Sequence, residues 1–91
     1  MVANSQSAIW LRLIRPERGD LAPEAAHSIL RLQFSPGDEE RIAELVMKAQ
    51  QGDLSAAEEA EAQEYAKAAD VLSLFHSKAR RSLQDAQQKQ T

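Results

Sequence analysis

The chain has 91 residues, 43% of them hydrophobic although sixteen of those are Ala, with no Cys, a net charge of −3 and a pI near 5.3. That length makes one domain with a modest core, able to fold alone but only marginally, so that oligomerisation would help it. Without Cys there is neither a disulfide framework nor a zinc finger, and the mild negative charge argues against a dedicated nucleic-acid binder.

Residues 1–4 read as a frayed end and lack the basic and apolar regions of a signal peptide. No apolar run approaches the roughly eighteen residues a membrane span needs, so the expected location is the cytoplasm. Ser5 or Ser7 can cap a short helix from about Ser7 to Ile14, with Ile9, Trp10, Leu13 and Ile14 on one face. Trp10 fits a core plug better than a binding anchor. Pro16 and Gly19 then break the chain. The triplet Arg18-Gly19-Asp20 carries no integrin-type reading, since nothing else marks the chain as secreted.

A second helix opens at Leu21-Ala22-Pro23-Glu24, with Pro where a missing N–H costs little, and runs to about Leu32. Ala26, Ile29 and Leu30 face inward, and His27 stands alone with no second ligand near it. Ser35 caps a third helix, followed by Pro36 and the acidic Asp38-Glu39-Glu40, which runs to about Gln51. Its stripe is Ile42, Leu45, Val46 and Ala49. The carboxylates of its first turn follow from the helix dipole, and no His or Cys joins them to make a metal site.

Gly52 can close that helix in the left-handed conformation, and Ser55 with Glu58 forms a capping box for the next. The sequences Gly19-Asp20-Leu21-Ala22 and Gly52-Asp53-Leu54-Ser55 recur thirty-three residues apart, and read as the same punctuation used twice. From Ser55 to about Ala86 no Gly or Pro interrupts, and strong helix formers dominate. The chain is organised around this long helix, with residues 87–91 fraying beyond it. Its stripe runs Tyr65, Ala69, Leu72, His76, Ala79, Leu83. Val71 and Leu74 lie well round from that stripe, so residues 71–75 are apolar over much of the circumference. Such a segment calls for burial on more than one side, by a protein partner or a second copy.

No phosphate loop, His-Glu-x-x-His, Cys nucleophile or nucleophile elbow is present, and the chain reads as no enzyme, with no cofactor. The one polar cluster is His76, Ser77, Lys78, Arg80 and Arg81. It is either a solvated helix end that compensates the dipole or a cationic patch for an acidic partner or a phosphate. The candidate partner-binding residues are therefore Val71, Leu74, Phe75, Lys78, Arg80 and Arg81. A helix-turn-helix over residues 36–80 is disfavoured, because its recognition helix would begin with Glu where phosphates need cations.

The pattern Gly19-Asp20-Leu21-x-Pro23-Glu24-Ala25-Ala26, Phe34, Arg41, Glu44-Leu45, Lys48-Ala49-x-x-Gly52-x-Leu54-Ser55, Tyr65 and Leu72-x-Leu74-x-x-Ser77-Lys78-Ala79-Arg80-x-Ser82-Leu83 resembles a family of short bacterial helical proteins. These occur in planctomycetes and cyanobacteria, often encoded just ahead of an HNH endonuclease. The resemblance covers about residues 15–83, and Ser77–Leu83 is its most specific piece. This chain has His76 where the family tends to have Gln. By gene arrangement, the resemblance implies an antitoxin-like inhibitor or accessory subunit of an HNH nuclease.

The expected fold is an all-α bundle over residues 1–91, three short helices packed on one long C-terminal helix. The expected function is a non-enzymatic protein-interaction module, with a homodimer as one form. In a variant of it, Glu58 to Glu64 mimic nucleic acid in a basic nuclease cleft. The alternatives are a small DNA- or RNA-binding regulator acting as a dimer through the Lys78–Arg81 patch, or a purely structural self-associating domain.

Overall fold

The computed structural model describes residues 6–89, and side chains from residue 8 to residue 88. Four helices follow in chain order: α1 (Gln6–Ile14), α2 (Pro23–Leu30), α3 (Pro36–Gln51) and α4 (Ala56–Lys89). The fold is all-α, with the three short helices packed against the long C-terminal one. The chain divides into two compact units, the first made of the chain up to Leu32 together with the chain from Val71 on, the second of residues 33–70. α4 runs unbroken through both.

The helix starts are set by local chemistry. The Ser35 side chain accepts from the Asp38 amide and caps α3. At α4 the capping box is complete, since the Glu58 amide donates to Ser55 Oγ and the Ser55 amide to Glu58 Oε1. Between them Gly52 takes φ 72°, and the Asp53 amide reaches back to the Lys48 carbonyl at 2.8 Å, the bond of a Schellman ending.

Four helix details differ from the sequence expectation, the simplest being that α4 is helical to Lys89 where fraying is expected from residue 87. α1 begins at Gln6, so Ser7 stands inside it, while Ser5 lies outside the described residues. α2 ends two residues early. The Arg31 and Leu32 amides bond the carbonyls three residues back, which tightens the last turn and stops the helix. On α1 the expected four-residue face splits. Ile14 is buried and Trp10 half-buried, whereas Ile9 and Leu13 are exposed, Leu13 by 71%. A nine-residue helix that meets the rest of its unit along one flank covers Trp10 and Ile14, four apart, and leaves the adjacent pair uncovered.

Candidate interaction surfaces

In the first unit, the segment after α1 is tied to the second half of α4. Arg15 adopts φ 53°, the left-handed conformation that ends α1. Its carbonyl accepts from Lys78 Nζ at 3.3 Å, and the same Nζ pairs with Asp20 Oδ1 at 2.6 Å. The Lys78 ammonium holds the Asp20 carboxyl below its ordinary range, chiefly through that hydrogen bond. The Leu21 amide donates to Ser82 Oγ, which in turn donates to the Lys78 carbonyl. Gly19 lies so close to α4 that a Cβ there would stand 2.8 Å from the Arg81 carbonyl oxygen. Ala26 of α2 and Ala79 of α4 are fully buried, small side chains that let backbones approach. His76 Nε2 lies 2.9 Å from the Leu32 carbonyl, an acceptor only, so that nitrogen carries the proton.

The residues read as a partner surface fall unevenly across this unit. Val71, Leu74 and Phe75 are half-buried, while Arg80 and Arg81 are exposed, with Arg81 Nε 3.5 Å from Asp85. Lys78 departs from the expectation of a surface cation. It is 8% exposed, and its charge is spent on Asp20 and the Arg15 carbonyl. A long side chain on the inward face of α4 reached the loop before it could reach solvent.

The second unit is a helical hairpin of α3 and the first part of α4, and its two flanks differ. One is ionic: Arg41 makes a two-pronged pair with Glu61 at 2.7 and 2.9 Å, and Lys48 pairs with Glu58. The Lys48 ammonium, with the Ser55 amide, holds the Glu58 carboxyl at about 2, and Arg41 holds Glu61 low. Glu58 and Glu61 are thus internal partners, which removes them from the acidic surface expected of Glu58 to Glu64 as a nucleic-acid mimic. Tyr65 is fixed by its hydroxyl, which donates to Asp38 Oδ1 at 2.7 Å, and by an edge-on contact with Phe34 at 6.0 Å. The Asp38 carboxylate raises the Tyr65 pKa.

The other flank of the hairpin is an apolar groove of about 270 Å³. It is lined along α3 by Ile42, Leu45, Val46 and Ala49, the whole predicted stripe of that helix, and along α4 by small Ala side chains and Tyr65. Leu45 alone of the stripe is buried, and Val46 is 51% exposed. The Tyr65 hydroxyl being engaged, the lining offers nothing to orient a polar small molecule. It suits aliphatic side chains. Exposed carboxylates share its face by helical spacing: Glu39 with Ile42 and Val46, Glu59 with Ala62 and Ala66, and Asp70 one turn further.

The net charge of −3 is the sum of two opposed halves. The first unit carries eight Lys and Arg against four Asp and Glu, a net +4. The second carries three against ten, a net −7. The sequence shows the basic cluster Lys78–Arg81 and the acidic run Glu58–Glu64, but the net charge taken as one total hides the size of the division. Summing charge over the helix-to-helix segments would have found it, given the division after residue 32 and before residue 71.

Among the described residues no cluster of three metal-ligating side chains occurs, and no helix is long and apolar enough to cross a membrane. No family model matches the chain, and the comparisons with curated proteins and with solved structures found no match.

Proposed function

We propose that this chain is a non-enzymatic protein-interaction module. The observation that carries the reading is how much apolar surface the fold leaves uncovered. Ile9, Leu11, Leu13, Leu32, Val46 and Met47 stand in solvent, against four buried apolar residues among those described. Single exposed aliphatics are ordinary, but Ile9 and Leu13, four apart on α1, share one face, and Val46 lines an apolar groove, so both places offer patches of the kind that bind. Val71, Leu74 and Phe75, half-buried, with Arg80 and Arg81 exposed beyond them, belong to the proposed surface; Lys78 does not. The resemblance supplies one partner class, an HNH nuclease, toward which the chain would act as an antitoxin-like inhibitor or accessory subunit. A unit of charge −7 suits a basic nuclease cleft.

The test is affinity capture from the native host, in nuclease-treated lysate, with wild type beside Phe75→Glu and Val46→Glu. The expected result is a protein recovered by wild type and lost with at least one variant whose melting curve is unchanged. Equal recovery by all three would refute the reading. A second reading, a DNA- or RNA-binding regulator, is favoured by the +4 of the first unit. It requires binding that falls steeply and log-linearly with salt, and a captured nucleic acid in untreated lysate.

A further inference from the structure

The groove between α3 and α4 is apolar, and the chain itself carries a helix of matching chemistry. We infer that the groove receives α1 of a second copy, so that the protein self-associates head to tail. The inference rests on the interaction-module reading and names the partner of its apolar groove.

α1 turns Trp10 and Ile14 toward its own unit and presents Ile9 and Leu13, four apart, as an exposed aliphatic ridge. A ridge of that spacing is what an apolar trough between two helices accepts. The groove offers Ile42, Val46 and Ala49 on one wall and Ala62, Ala66 and Ala69 on the other. The small Ala wall lets an incoming helix approach closely. Polar groups match as well. Arg12, Arg15 and Arg18, all exposed, lie within nine residues of Ile9 along the chain, and Glu39, Glu59 and Asp70 share the face of the groove by helical spacing. Over longer range a unit of +4 meets a unit of −7.

The same numbers argue against the simpler alternative, in which two grooves pair face to face. That arrangement sets −7 against −7 and brings the carboxylates of both rims together. A head-to-tail contact joins unlike surfaces, so it either closes reciprocally into a dimer or extends. Either form depends on the same two patches.

Sedimentation velocity on the purified full-length chain tests this, over a range of protein concentration and between about 0.01 M and about 1 M salt, where the screening length falls from about 30 Å to about 3 Å. Wild type is expected to exceed the monomer mass at low salt and to approach it at high salt. Leu13→Glu and Val46→Glu, each verified as folded by circular dichroism, are each expected to weaken association about tenfold or more, the scale set by one lost aliphatic contact. Mixed together, the two variants should associate again, because one intact ridge still meets one intact groove. A monomer under all conditions would overturn the inference. So would Leu13→Glu associating as wild type does while Val46→Glu fails, which is the signature of groove-to-groove pairing. If the purified chain is monomeric but still captures another protein through Val46, this inference fails and the functional reading stands. If it neither self-associates nor captures a protein, both fail.

Discussion

Ser82→Ala removes one oxygen from the point where the Gly19–Leu21 segment meets α4. Ser82 is 1% exposed, and its Oγ accepts the Leu21 amide at 3.1 Å, a bond spanning sixty-one residues of sequence. Without it that amide faces an Ala methyl. A buried donor left unsatisfied costs about 1–3 kcal/mol, and the low end applies because the bond is part-buried. The second bond, to the Lys78 carbonyl, adds little, since a Ser back-bonding inside a helix is close to neutral. Ala is a better helix former than Ser and returns about 0.5 kcal/mol. The net loss is therefore about 0.5 kcal/mol, or about 2–4 °C of melting temperature for a chain of this size. Thermal melts followed by circular dichroism give the global value, and amide exchange at Leu21 gives the local one. An unchanged melting temperature together with unchanged Leu21 protection would refute the reasoning, and would mean that the segment does not depend on Ser82.

Gly19→Ala should cost about 1–3 kcal/mol in a denaturant titration, because the new methyl meets helix backbone that cannot yield. Gly37→Ala is its control, with no atom nearer than 3.9 Å to the added carbon, and should leave stability unchanged or slightly higher. The acid limb of stability should carry the signature of Glu58. Its folded pKa of about 2 lies below the usual 4.5, so its contribution is present above pH 4.5 and is lost as pH falls toward 2. Melting temperatures measured across that window should fall for wild type and fall less for Glu58→Gln and Lys48→Met. A slope identical in all three would count against the pairing.

The features legible in the sequence were those decided within a few residues. The Ser35 cap, the Gly52 ending and the Ser55–Glu58 box each depend on neighbours three to five positions away, and each formed where the residues called for it. The long uninterrupted run after Ser55 likewise became one helix. What the sequence concealed depended on contacts between distant segments. Gly19-Asp20-Leu21 and Gly52-Asp53-Leu54 look alike, yet Gly52 supplies a left-handed φ and Gly19 supplies the absence of a Cβ under α4. Lys78 read as a surface cation because its acceptors lie some sixty residues away, at Arg15 and Asp20. The stripe Ile42, Leu45, Val46, Ala49 was found as a set, but helical period alone does not say whether a stripe is covered. Here all of it lines an open trough, and Leu45 alone is buried.

The motif residues Gly19, Asp20, Leu21, Lys78, Ala79 and Ser82 all turn toward one another inside the first unit. Phe34, Arg41, Lys48, Gly52, Ser55 and Tyr65 likewise serve the hairpin of the second. A second chain carrying that pattern would thus share a scaffold, which is a statement about assembly of the polypeptide and not about its role. Ile9, Leu13, Val46 and Met47 lie outside the pattern. Two proteins alike at every motif position could present different residues at those four, and recognise different partners from the same frame.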